Sequence, residues 1–248
     1  MQIYDDPVRV LFQKMIPELV SNPSKQFSKS NAIQWFKNNY PRIKEGTIIA
    51  HLMRFSTNAP SRLHYSPKPE EDCLFQIDGS MYRLYDRNLD PHPIHSVEDI
   101  AVSRDTIQKP EPLENSSAFS YEKDLQNYLS KNIGMLGKGL KLYQDEGITG
   151  IEFPVGGKFV DILAQDADDN LVVIELKVAR GYDKVVGQLL RYMAWIRIHQ
   201  ADSGQGVRGI IVGREITDDL KLACSGLSNI ELFEYDLSVK LRKIEPVS

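Results

Sequence analysis

Two short apolar runs with charges embedded in them, Phe159–Ala164 and Leu171–Leu176, stand either side of the polar segment Gln165–Asn170. Successive side chains of a strand point to opposite faces. Glu175 and Lys177 therefore share one side and Ile174 and Leu176 the other, and a hairpin of the two runs carries Asp161 toward Glu175. The residues after it, Gly181–Gln200, form the longest helical pattern in the chain. Val185, Leu189, Tyr192 and Ile196 make its apolar stripe, and Gln188 and Tyr192 share a face at i and i+4. Ile151–Val155 reads as a strand ahead of the hairpin and Val207–Gly213 as a buried strand after the helix. Ile216–Ser225 reads as a helix, and Ile230–Tyr235 and Val239–Ile244 as further strands. A helix over Ser120–Asn132 opens this half, with Glu122 on the same face as Leu125 and Leu129. That order predicts an α/β fold, a mixed sheet flanked by helices.

The first half has a different rhythm. Helical patterns cover residues 7–20, Ser28 or Ser30 to Asn38, and Glu45–Phe55. Two β runs follow, Cys73–Ile77 and Met81–Tyr85, around the hairpin signal Asp78-Gly79. Three helices and a hairpin are the order of a winged helix-turn-helix, whose third helix reads DNA and whose hairpin is the wing. His92 and His95 have no further ligand near them and predict no metal site. Residues 104–118, rich in Pro, Ser and charge, read as a linker. The expected organisation is a recognition domain over 1–103, the linker, and a catalytic domain over 119–248.

Composition excludes some partners. No apolar run reaches the ~20 residues of a membrane helix, and the N-terminus lacks the pattern of a signal peptide. Cys73 and Cys224 are distant from each other and suit a reducing compartment, so a cytoplasmic protein is expected. The net charge of −4 speaks against nucleic acid, but its distribution reverses that reading. Between Lys25 and Arg62 the bases are Lys25, Lys29, Lys37, Arg42, Lys44, Arg54 and Arg62, and Glu45 is the single acid. Falling on the second and third helices and the loop after them, this excess points to a phosphate backbone. Its alternative is a solvated face. Arg180, Lys184 and Arg191, around the long helix, are further candidates for backbone contacts.

The hairpin's charges suit phosphodiester hydrolysis. That reaction uses a divalent cation and an activated water, and Mg²⁺ takes oxygen ligands, often one or two carboxylates with water and phosphate. Asp161 and Glu175 supply the carboxylates and the Leu176 carbonyl a third oxygen. Lys177 can orient the water, lower its pKa or hold the scissile phosphate. The plain alternative is a surface salt bridge, since E-x-K alone is a weak signal. The apolar flanks Phe159–Ala164 and Val172–Ile174 argue for a buried site instead.

Val160-Asp161 with Glu175-Leu176-Lys177 resembles the PD-(D/E)xK nuclease superfamily, with Val160 in place of the proline. The segments YEKDLQNYLSKN, GKFVDILAQDADDNLVVIELK, VVGQLLRYMAWI and VRGIIVG are similar to the NucS-type endonuclease domain over most of residues 119–215. The N-terminal string FSKSNAIQWFKNNYPRIKEGTIIAHLMRFSTN is similar to helix-turn-helix domains found beside restriction-type nucleases. The resemblance implies a restriction-endonuclease-like fold, DNA as substrate, Mg²⁺ or Mn²⁺ as cofactor, and a homodimer in some members. It assigns Glu122, Gln188 and Tyr192 to the site with Asp161, Glu175 and Lys177. A restriction- or defence-type endonuclease is the expectation, with a repair nuclease for mismatched or branched DNA as its rival. A non-catalytic DNA-binding regulator and a protein-interaction module are the alternatives from other classes.

Overall fold

A computed structural model describes residues 3–104, 116–177 and 184–236, and all their side chains but those of 101–104 and 116–121. In the first half α1 (Val8–Leu19), β1 (Gln26–Ser28), α2 (Lys29–Asn39) and α3 (Glu45–Phe55) precede β2 (Leu74–Gln76) and β3 (Met81–Leu84). Local chemistry sets the boundaries. The Ser28 side chain accepts from the Asn31 N–H at 3.1 Å and the Asn31 side chain accepts from the Ser28 N–H at 2.9 Å, a reciprocal cap that starts α2. Asp78 Oδ1 accepts from the Ser80 and Met81 amides at 2.7 and 2.8 Å and closes the hairpin. The strands form a small antiparallel sheet in the order β1-β3-β2. Its core includes Phe12, Phe36, Leu52, Phe55, Leu74 and Tyr82.

Residues 97–104 form α4 (Val97–Arg104). Asp99 Oδ2 accepts from the Ser96 N–H at 2.7 Å and Ser96 Oγ accepts from the Asp99 N–H at 3.4 Å, so the turn is capped from both sides. The next helix, α5 (Ser116–Lys131), begins inside the segment read as a linker. Short pairings follow at β4 (Lys141–Leu142), β5 (Gln144–Asp145) and β6 (Ile148–Thr149). The main elements are β7 (Ile151–Val155), β8 (Lys158–Gln165), β9 (Leu171–Lys177), α6 (Val185–His199), β10 (Val207–Gly213), α7 (Asp218–Cys224) and β11 (Ile230–Glu234). The expected strand Val239–Ile244 lies outside the described residues.

The large sheet runs β11-β10-β9-β8-β4, with β7 also on β8. Strands β9, β10 and β11 are parallel, and β7, β8 and β9 antiparallel, so the sheet is mixed, as expected. Alternation along β9 sends Val173 to the α6 face, with Leu189 and Met193, and Val172, Ile174 and Leu176 to the α5 face, with Leu125 and Leu129. Helix α6 lies so close to β10 that a Cβ on Gly209 would meet Met193 Sδ at 2.7 Å. Among the described residues no helix is long and apolar enough to cross a membrane.

The third helix does not present a DNA-reading face. Gly46–Leu52, Arg54 and Phe55 are all buried, and Ala50 belongs to the core shared with Phe153, Val173 and Leu189. Thr47 Oγ1 donates to Asp145 Oδ2 at 2.5 Å, and the Gln200 amide donates to Thr47 Oγ1 at 3.3 Å and to the Tyr143 hydroxyl at 2.6 Å. The charges read as phosphate contacts are used up in the same way. Arg54 is buried against Glu71 at 2.9 Å and donates to the Gly147 carbonyl at 3.2 Å. Arg62 is fully buried and holds Asp72 at 2.6 Å and the Arg54 carbonyl at 3.2 Å. Neither can reach DNA, because a buried guanidinium must keep its partners. Lys44 pairs with Asp202. Lys29, Lys37 and Arg42 remain at the surface, Lys37 with a 3.7 Å contact to Glu45.

Arg54→Met leaves Glu71 buried with only the Lys68 amide, at 2.9 Å, on its carboxylate. It is expected to lower the unfolding free energy by about 3 kcal/mol in denaturant melts. The salt dependence of DNA binding by the folded protein should not change. A loss confined to DNA affinity would return Arg54 to the surface.

Candidate active site

The sheet and α6 bring the expected acids together. Asp161 sits on β8 and Glu175 and Lys177 on β9. The two strands pair antiparallel from Gln165↔Leu171 to Ile162↔Ile174, which leaves Asp161 and Glu175 side by side at the end of the ladder. Asp161 Oδ2 accepts from the Leu176 N–H at 2.7 Å. Its own backbone carbonyl accepts from Gln126 Nε2 at 2.8 Å. Glu175 is 1% exposed; Oε2 accepts from Gln188 Nε2 at 2.8 Å, and the buried Oε1 has no hydrogen-bond partner. Lys177 Nζ lies 3.9 Å from Glu175 and 4.0 Å from Glu122. At those lengths the ammonium is attracted but not locked, and its donors stay available. Tyr192 is buried on α6 beneath Arg191, whose guanidinium carbon lies 5.5 Å from the ring centre.

Electrostatics follow from this packing. Burial pushes the Asp161 carboxyl up to about 6, against the pull of the Leu176 amide and Lys177. Burial, and then the neighbouring Asp161 charge, push Glu175 up to about 8. Both carboxylates resist ionisation chiefly because burial withholds water from the charge, and Glu175 also because Asp161 stands beside it. Their oxygens and the Leu176 carbonyl form an all-oxygen donor set, which suits a hard divalent cation such as Mg²⁺ or Mn²⁺. The unpartnered Glu175 Oε1 supplies a free lone pair there. Among the described residues no group of three His, Cys, Asp or Glu side chains closes a ligand cage. A cation held here would complete its shell with water and phosphate oxygens, as Mg²⁺ commonly does.

All six expected site residues, Glu122, Asp161, Glu175, Lys177, Gln188 and Tyr192, converge on this end of the sheet. Tyr192 does so as a packing residue, in one core with Leu189 and Met193. Lys184, just before α6, and Arg191, on it, are exposed, and Arg180 lies outside the described residues. Two side chains of the cleft were not anticipated. Gln126 is four residues after Glu122 on α5, a spacing that could have revealed it. Glu152 lines the cleft with Glu122, Asp161 and Leu176, and nothing in the strand pattern of β7 singles it out.

Residues 121–242 match the family described as Endonuclease NucS C-terminal domain, and residues 7–84 match a Domain of unknown function, DUF7669. The second half of the chain is thus similar to NucS-type endonuclease domains. Endonuclease NucS of Thermococcus kodakarensis is 29% identical over 195 residues, covering 75% of this chain and 69% of that protein. Endonuclease NucS of Micrococcus luteus is 33% identical over 155 residues, covering 60% and 63%. A crystal structure of a repair endonuclease from Pyrococcus abyssi aligns with a TM-score of 0.39 and 20% identity, over 63% of this chain and 52% of that one. The chain spans between 43% and 69% of the length of the curated relatives it matches.

The raised carboxyl pKa values set a pH dependence in the metal-free protein. The folded state holds protons that the unfolded chain releases near pH 4. This contribution to stability is full below pH 4 and is lost as pH rises through about 6 for Asp161 and about 8 for Glu175. Glu175→Gln removes the later loss, and in EDTA at pH 9 it is expected to melt above the wild type. Equal melting temperatures at pH 9 would show that Glu175 carries no burdened charge.

Proposed function

We propose that the chain is a divalent-cation-dependent DNA endonuclease that hydrolyses phosphodiester bonds at the Asp161–Glu175–Lys177 corner. The juxtaposition of a buried and a half-buried carboxylate with a loosely held ammonium carries this reading, in a domain similar to the NucS C-terminal family. Asp161, Glu175 and the Leu176 carbonyl would hold Mg²⁺ or Mn²⁺. When bound, the cation supplies neutralisation of the charge that develops on the phosphate. The chain's own residues do the rest. The Leu176 amide fixes the Asp161 carboxylate, and Gln188 fixes one oxygen of Glu175 and leaves the other free to act. Lys177 offers its ammonium to the attacking water or the scissile phosphate. Lys29, Lys37 and Arg42 at the surface of the first half, with Lys184 just before α6 and Arg191 on it, are the candidates for backbone contacts to double-stranded DNA.

Repair fits better than restriction. Sequence-specific restriction needs a reading element in a groove, and the helix that would serve is buried. The relatives named above are endonucleases. Recognition of a mismatch or branch works through DNA shape and deformability and asks for no such helix. In this reading the protein works in the cytoplasm on irregular duplexes.

Plasmid, single-stranded, mismatched and branched DNA, each with Mg²⁺, Mn²⁺ or EDTA, separate the readings. Cleavage is expected with metal and not with EDTA, fastest on irregular duplexes. Glu175→Ala and Lys177→Ala should slow it by at least about 100-fold. Mutants that cut as fast as the wild type would remove the assignment. DNA binding with no cleavage under any metal would favour the non-catalytic regulator.

A further inference from the structure

Glu152 sits where a regular strand would not place it. Its neighbours pair in step with β8, Ile151 with Ile162 and Phe153 with Val160, so Glu152 stands across from Asp161. It leaves the strand conformation, with φ +45°. A left-handed backbone in a long, non-glycine residue is strained and persists only where its surroundings hold it. Here the holder comes from the other half of the chain. His64 Nε2 lies 3.0 Å from Glu152 Oε2, and both side chains are largely covered. His64 belongs to a 3₁₀ turn, Pro60–Tyr65, that cannot easily shift. Arg62 in that turn is anchored on Asp72 and the Arg54 carbonyl, and Tyr65 is buried in the core beside Phe153 and Val160. The carboxylate held in this way lines the cleft that contains Asp161, Glu122 and Leu176. Close by, Glu175 keeps a buried oxygen without a partner.

We propose that Glu152 is a cation-positioning residue of the nuclease centre and that His64, through its contact with Glu152, lets the first half of the chain set its place on the cleft wall. This rests on the nuclease reading above. A carboxylate opposite Asp161 adds attraction for a divalent cation without needing to be a ligand itself, because a charge a few ångströms away in a partly dry cleft is weakly screened. The strained backbone and the histidine serve to keep that charge in the cleft rather than in solvent. His64 acts only through Glu152, so its removal matters only while the carboxylate is present.

Calorimetric titration of Mn²⁺ into the full chain without DNA tests this apart from cleavage. Wild type, Glu152→Gln, His64→Ala, the double variant and Asp161→Asn are compared, each with its melting temperature as a control for folding. Glu152→Gln is expected to weaken Mn²⁺ binding about tenfold and His64→Ala by less. The double variant should match Glu152→Gln alone, and Glu152→Asp should recover part of the loss. Asp161→Asn should abolish binding. Unchanged affinity in folded Glu152→Gln, or a double variant that loses the product of the two single effects, overturns the proposal while Asp161→Asn leaves the nuclease reading intact. No binding by the wild type, or full binding by Asp161→Asn, overturns both.

Discussion

Two carboxylates forced together away from water are the constraint around which the second half is built. Asp161 and Glu175 stand at the end of one β ladder, and each raises the cost of charge on the other. Free side chains in water would move apart. Here β8 and β9 are clamped by apolar layers on both faces, Leu163, Val173 and Leu189 on one and Ile162, Ile174 and Leu125 on the other. The repulsion cannot relax through the backbone, because a one-residue slip would turn the entire apolar set outward. It is met instead by polar groups placed at fixed points: the Leu176 amide, the Gln188 amide, and Lys177 at the longer distance of 3.9 Å. The remaining imbalance is what a cation would relieve. The core thus stabilises the fold and at the same time keeps the centre unsatisfied.

Much of this was legible in the chain. The period-two pattern around Asp161 and Glu175 fixes which side chains share a face, and the i, i+4 relation fixes Gln188 against the sheet once α6 packs on it. Charges inside apolar strands are costly unless they have work to do, so they stand out in a sequence. The β2–β3 hairpin, the capping of α2 and the bounds of α3 were legible for the same reason, because their signals are local, whereas β1 was not. Glu152 was not. Its position depends on a left-handed backbone within β7 and on a histidine 88 positions earlier in the chain, and neither leaves a mark in local hydrophobic order. Helix α4 escaped because its stretch has little apolar periodicity and is set by the reciprocal Ser96–Asp99 cap.

The basic stretch shows a different kind of failure. Counting charges between Lys25 and Arg62 says how many there are, not where they end up. Arg54 and Arg62 face Glu71 and Asp72, acids that come after the counted window and so were left out of the count. Long-range pairing turned two apparent surface cations into internal struts. Helix α3 carries Ile48, Ile49, Leu52, Met53 and Phe55 on several sides. An apolar circumference of that kind means burial on more than one face, which is incompatible with lying in a groove.

That burial changes what the first half can be. A helix that fills a groove in DNA must be free on one side, whereas α3 is covered by its own small core and the 60–65 turn on one side and by β7 of the second half on the other. Thr47, Asp145, Gln200 and Tyr143 join into one hydrogen-bonded set across this junction. Such a set is stable only when every member is present, so the two halves are held in one orientation rather than swinging on a linker. The first half therefore stands against the cleft rather than apart from it. The cleft that holds Asp161 thus takes part of its shape from the first half, through His64 on Glu152.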